Sequence, residues 1–293
     1  MQTRFTFRCG GEELIGTLHR PLTGETAVAV VTGPLTSVKE QASGAWANAL
    51  AQRGIACLAF DHRYFGESGG KPRQLENPYA KIEDIRAAVD ALRGKPEFTA
   101  KPIVAVGVCA GAGYMARAVA EEPRFSAFAT IAGYYAEASE AASATARSSL
   151  ERAQAAARRW QETGIAETIP AVAADNGDVA MPLDEAFAYY GTSRGAVPNY
   201  VNGFAVQSRV HTMAFDALGA AHLIKVPTVF LHSENALAPA LARRFQADLD
   251  DARIIWLPSL GQIDFYDDKG LIAQGADAVV EFLAARLKTR SRG

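Results

Sequence analysis

The chain's 293 residues include three cysteines and five histidines, the side chains best suited to nucleophilic and proton-transfer chemistry. One cysteine has a patterned setting. Gly107-Val108-Cys109-Ala110-Gly111 fits G-x-C-x-G, after the apolar run Ile103 to Val108 and before a helical pattern from about Gly111. A sharp strand-to-helix turn holds its central residue in a strained conformation that exposes the side chain. Small neighbours are needed because strand and helix backbones crowd there. The pattern makes Cys109 a candidate nucleophile and the Ala110 N–H a candidate oxyanion donor. A helix N-terminus favours the thiolate, so a preformed thiolate is expected. The competing reading is a buried cysteine in a glycine-rich turn.

Other chemistries are poorly supported. Gly107, Gly111 and Gly113 also spell a dinucleotide-loop pattern, but that loop belongs after the first strand of its sheet, and here several strands precede it. No Tyr-x-x-x-Lys follows: Tyr190 has Arg194 four residues on, and Tyr266 has Gly270. The sequence contains no H-x-x-x-H, C-x-x-C or P-loop pattern, so neither a metal nor a cofactor is expected.

The elements that must position Cys109 alternate. Arg4 to Arg8 and Glu13 to His19 read as strands around a Cys9-Gly10-Gly11 turn. Ala27 to Val31, Ile55 to Phe60, Ile103 to Val108 and Phe125 to Ala132 read as strands, the first three as continuous apolar runs, with helices between them. After an irregular stretch, Val229 to His232 and Ile254 to Leu257 resume the strands, with helices over Pro239 to Leu249 and Leu271 to Leu287. The predicted class is α/β: a mostly parallel sheet with helices on both faces. Residues 1–133 and 225–293 form its core, and 134–224 form a helical insertion whose first helix is expected over Glu140 to Gln161. Five of the nine tyrosines (Tyr134, Tyr135, Tyr189, Tyr190 and Tyr200) lie in that insertion, which suits a lid over the carboxyl edge of the sheet.

Composition limits the partners. Hydrophobic residues make up 49% and charged residues 21%, a globular balance. The formal net charge of -2 lacks the basic excess that binds nucleic acid or anionic membrane, and Arg286 to Arg292 reads as a short solvated tail. No long apolar run suggests a membrane span, and Met1 to Glu13 lacks the apolar core of a signal peptide. An odd number of scattered cysteines suits a reduced, cytoplasmic protein. The expected partner is a small-molecule substrate, and a homodimer stays open.

With these residues in view, the chain resembles the α/β-hydrolase superfamily, and within it bacterial YcjY-type, dienelactone-hydrolase-related proteins. The resemblance rests on Val38-Lys39-Glu40-Gln41, on Phe60 through Gly70 (FDHRYFGESGG), on Pro72 through Pro78 and on Asp84 through Asp90. It continues with Cys109 through Tyr114, His232 through Ala236 and Asp264-Phe265-Tyr266-Asp267. It implies a triad in the order nucleophile, acid, histidine. Cys109 maps onto the nucleophile. Glu234 is the best match to the acid, although many members carry an Asp two positions later, where this chain has Ala236; alternatively, Glu234 only caps a turn. Gly261 through Asp267 aligns with Gly-His-x-Asp-x-Tyr-Asp, so Gln262 occupies the histidine position. A glutamine amide hydrogen-bonds but cannot take a proton as general base. The second oxyanion donor is implied in the loop after Ala27 to Val31. Pro34 has no N–H, so Leu35 or Thr36 must supply it. Tyr114, on the elbow helix, either faces the pocket or packs on the sheet.

No histidine follows His232 in the sequence. His211 could reach the site from the lid. His19 reads as a surface residue, and His62 and His232 as local structure. Three outcomes follow: a cysteine hydrolase acting on an activated ester, lactone or thioester; an acyltransferase, lyase or cyclase; or a silent binding protein.

Overall fold

The computed structural model describes residues 1–139 and 143–290. An eight-stranded sheet runs β1-β2-β4-β3-β5-β6-β9-β10. Its strands are β1 (Gln2–Cys9), β2 (Glu12–His19), β3 (Ala27–Thr32), β4 (Ile55–Phe60), β5 (Ile103–Val108), β6 (Phe125–Ile131), β9 (Thr228–His232) and β10 (Ala252–Trp256). β1 and β2 pair antiparallel, β2 meets β4 antiparallel, and every other neighbour is parallel. The class is the predicted one.

Every residue of β3, β4 and β5 is buried. Successive side chains point to opposite faces, so one strand feeds two cores. Ala29, Val31, Cys57 and Val104 pack with Trp46 and Val279 under α1 (Ala42–Ala51) and α9 (Lys269–Arg290). Val28, Val30, Leu58 and Ala105 pack with Ile85 and Met115 under α2 (Pro78–Arg93) and α3 (Ala110–Glu121). Asn77 caps α2 by accepting from the Tyr79 and Ala80 N–H groups at 3.1 and 3.3 Å.

The first helical stretch reads as Lys39 to Gln52 in the sequence, but α1 begins only at Ala42. Lys39 instead lies in a turn, where its N–H donates to Asp61 Oδ1 at 2.7 Å and its ammonium to Asp61 Oδ2 at 2.8 Å. Both side chains are buried, so this pair fixes the loop after β3 to the loop after β4. His19 also departs from expectation. It is buried at 5% exposure, because β2 is an interior strand whose register sets His19 opposite Cys57.

Between β6 and β9 the chain leaves the sheet. This segment carries α4 (Ala144–Thr163), α5 (Asp184–Tyr190) and α6 (Ser208–Thr212), with a short antiparallel pair, β7 (Thr168–Ile169) and β8 (Phe204–Ala205). The helix expected from Glu140 is α4, and the first three residues of that expected span lie outside the described residues, as do the last residues of the basic tail. The β7–β8 pair has no strand-length signal in the sequence. Within the inserted range, Tyr135 packs inward: it is buried, with its ring stacked on Phe245 of α7 (Pro239–Ala247), centroids 4.0 Å apart.

Candidate active site

Cys109 directly follows β5, the strand between β3 and β6, and α3 begins at the next residue. Its backbone has φ 54° and ψ −124°, a region that L-residues rarely occupy. Hydrogen bonds hold it there. Its N–H donates to the Ile131 carbonyl at 3.0 Å, and its carbonyl accepts from the Ala112 and Tyr134 N–H groups, each at 3.0 Å. The surrounding glycines are required by contact. A Cβ on Gly107 would lie 2.5 Å from Ala112 Cα, and one on Gly111 would lie 2.5 Å from the Gly33 carbonyl oxygen.

The site is assembled from loops at the carboxyl ends of adjacent strands. Leu35 follows β3, Cys109 follows β5, Tyr134 follows β6, Leu237 follows β9 and Gln262 follows β10. All five line a cavity of about 390 Å³, to whose wall the segment between β6 and β9 also contributes Met181, Glu185, Tyr190 and Met213. Most of its lining is aromatic or aliphatic.

Three groups hydrogen-bond the Cys109 sulfur: the Tyr266 hydroxyl, the Ala110 N–H and the Gln262 side chain. Each favours the thiolate. Burial opposes them and prevails, so the thiol is held above its ordinary range. The preformed thiolate expected at the helix terminus is therefore opposed by burial of the elbow, which disfavours the charged sulfur.

Gln262 is buried and fully engaged. Its Oε1 accepts from the Leu237 N–H at 3.0 Å, and its Nε2 donates to the Ala132 carbonyl at 2.8 Å. It spans the gap between the loop after β9 and the sulfur, where the aligned histidine would sit. Glu234 is elsewhere. It is 61% exposed, is ion-paired with Arg243, and bonds no residue of the elbow among the described residues.

The two implied oxyanion donors separate. The Thr36 N–H is occupied, donating to Glu76 Oε2 at 3.1 Å. The Leu35 N–H has no partner among the described residues, and Leu35 lines the cavity. Tyr114 both lines the cavity and donates to Glu76 Oε1 at 2.8 Å. Glu76 is wholly buried with Lys81, whose ammonium lies 2.5 Å from Oε1. This pair anchors the oxyanion loop to α2 and α3. His211 is half-buried on α6 and absent from the cavity wall, which takes the next two residues, Thr212 and Met213.

Of two further cavity residues, Glu185 escaped the sequence reading and Tyr190 entered it only among the tyrosines of the insertion. Glu185, in the first turn of α5, accepts from the Gln262 N–H at 3.0 Å and the Ile263 N–H at 3.4 Å. Tyr190, at the other end of α5, has a buried hydroxyl with no partner among the described residues. Neither carries a local motif, because both are brought to the site by the path of an irregular segment.

A family model described as serine aminopeptidase, S33, of the α/β-hydrolases matches residues 27–253. The chain belongs to this family. It is 29% identical over 269 residues to the uncharacterized protein YcjY of Escherichia coli, covering 88% of each chain. The crystal structure of the hypothetical protein PA2218 from Pseudomonas aeruginosa superposes with a TM-score of 0.85 at 27% identity, covering 98% of this chain and 94% of that one. A shorter stretch of 64 residues, 22% of this chain and 20% of the relative, is 44% identical to the thiohydrolase aneE of Aspergillus aculeatus. The chain is thus an α/β-hydrolase-fold enzyme of a hydrolase family, with cysteine at the elbow of a family whose description specifies serine.

Proposed function

We propose that this hydrolase cleaves a small apolar ester, lactone or thioester through an acyl-Cys109 intermediate, under a lid formed by residues 134–224. The observation that carries the reading is the strained Cys109 on an apolar cavity that Ala110 and Leu35 also line, the Leu35 N–H having no partner among the described residues. Sulfur attacks the acyl carbon, and the carbonyl oxygen takes the electron pair while accepting from those two amides. Tyr266 and Gln262 stabilise negative charge on sulfur as the thiol proton departs. Collapse of the tetrahedral species expels the alcohol or thiol, which leaves with that proton. Water then attacks the thioester, a carbon–oxygen bond replaces the carbon–sulfur bond, and Cys109 regains its proton. The cavity lining suits an aliphatic or aromatic acyl group, and the name of the thiohydrolase relative favours a thioester within this class.

The test uses p-nitrophenyl butyrate and a butyryl thioester. Turnover that disappears in Cys109→Ala, with a butyryl adduct on Cys109 in the mass spectrum of the unmodified chain, is the expected result. Turnover unchanged in Cys109→Ala overturns the reading. An adduct that is released only to an added alcohol or thiol would instead identify an acyltransferase.

A further inference from the structure

Once an acyl-cysteine has formed, its hydrolysis needs a base for the attacking water, and Gln262 cannot act as one. The aligned histidine position therefore leaves a chemical vacancy beside Cys109. Among the described residues, the cavity wall offers two carboxylates, Glu137 and Glu185. Glu137 is half-exposed and held in a two-pronged ion pair with Arg244, both contacts at 3.0 Å. Glu185 differs in three respects. It has no cationic partner among the described residues. Its Oε2 is fixed by the N–H groups of Gln262 and Ile263, which places the carboxylate against the segment where the aligned histidine would sit. Its Oε1 accepts no hydrogen bond among the described residues and so retains lone pairs for a water in the cavity.

We propose that Glu185, delivered by α5 of the inserted segment, is the general base that activates the hydrolytic water. The inference rests on the acyl-Cys109 reading. In the step, water gives a proton to Glu185 Oε1 as its oxygen bonds the acyl carbon. The tetrahedral oxyanion is held by the Ala110 and Leu35 amides. The carbon–sulfur bond then breaks, and the proton on Glu185 passes to the departing Cys109 sulfur, so carboxylate and thiol are both regenerated. The base thus belongs to the lid, and hydrolysis requires α5 to be seated on the loop after β10. Gly261 preserves that seat: a Cβ there would lie 2.4 Å from Glu185 Oε2.

Glu185→Gln isolates the base. The amide oxygen still accepts from the two backbone N–H groups, but the side chain no longer takes a proton. With p-nitrophenyl butyrate, this variant is expected to acylate and then stall. Steady-state turnover should fall about 100-fold or more, with butyryl-Cys109 accumulating in the mass spectrum. Hydroxylamine attacks thioesters without a general base, so adding it should bring Glu185→Gln close to wild-type chain treated in the same way. Glu185→Gln that turns over within threefold of wild type overturns the proposal. So does a variant that stalls without an adduct, or one that hydroxylamine fails to rescue, since each places the defect before deacylation. The acyl-cysteine reading fails separately, in otherwise unmodified protein, if Cys109→Ala retains turnover.

Discussion

The Gln262 side-chain amide donates to the Ala132 carbonyl at 2.8 Å, anchoring the residue at the aligned histidine position to the end of the strand beside the elbow. Its other end accepts from the Leu237 N–H at 3.0 Å. Backbone thus takes the place that a carboxylate would occupy behind a triad histidine. Installing histidine alone should therefore give an imidazole with no acid to orient it. Gln262→His is expected to change kcat/KM for p-nitrophenyl butyrate by less than about tenfold. Combined with Ala236→Asp, it should exceed the sum of the two single changes on a free-energy scale. A single Gln262→His that alone raises activity a hundredfold would contradict this account.

Tyr266 and Cys109 define the second expectation. Burial raises the Cys109 thiol, while Tyr266, the Ala110 amide and Gln262 pull it back. The net direction is upward, so the reactive thiolate is depleted at neutral pH and grows as pH rises. Alkylation of Cys109 by iodoacetamide, read by peptide mass spectrometry, should increase through pH 9 without a plateau near pH 7. Tyr266→Phe removes one of the three bonds and should move the profile to still higher pH. A plateau below pH 8 in the wild-type chain would show a preformed thiolate.

His19 predicts an acid-side loss of stability. Burial, and secondarily the positive N-terminus, lower its pKa from 6.5 to about 4. The unfolded chain therefore takes up this proton first as pH falls. The contribution is present above pH 6.5, declines through the interval and is gone below about pH 4. Its size is at most about 3 kcal/mol. Urea melts between pH 4 and 7 should show a steeper decline for the wild-type chain than for His19→Gln. Parallel pH dependences would remove His19 as the cause.

The buried Glu76–Lys81 pair gives a fourth expectation. Glu76→Gln leaves the Lys81 ammonium buried without a counter-charge and should destabilise the fold by about 3–5 kcal/mol in urea melts. Lys81→Met added to that variant should recover much of the loss, because no unpaired charge is then buried. The Thr36 N–H would still find an acceptor in the glutamine. The double variant should thus keep acylation of Cys109 within about tenfold of wild type, and a larger fall would show that the charge itself supports the oxyanion loop.

The sequence by itself determined the sheet and the elbow. β3, β4 and β5 are continuous apolar runs because strands covered on both faces must be, and their bounds were legible nearly to the residue. Gly107 and Gly111 mark the elbow because only a hydrogen fits where strand and helix backbones meet. The absence of a histidine at position 262 was equally legible, since it is a matter of identity rather than geometry.

Only the tertiary structure decided what surrounds the sulfur. Burial outweighs the helix terminus at Cys109, and no local pattern reports desolvation. Thr36 and Leu35 are chain neighbours with the same kind of amide, yet one donates to Glu76 and the other is left for the cavity. Glu234 matched the acid by order along the chain, but its side chain turns to solvent and Arg243. Glu185 lies 76 positions from Cys109 in sequence and reaches the site through a segment with no periodicity to read. Spacing along a strand or helix fixes neighbours on one element, whereas a site built from five loop ends and an inserted helix depends on contacts between elements, and these exist only once the chain has packed.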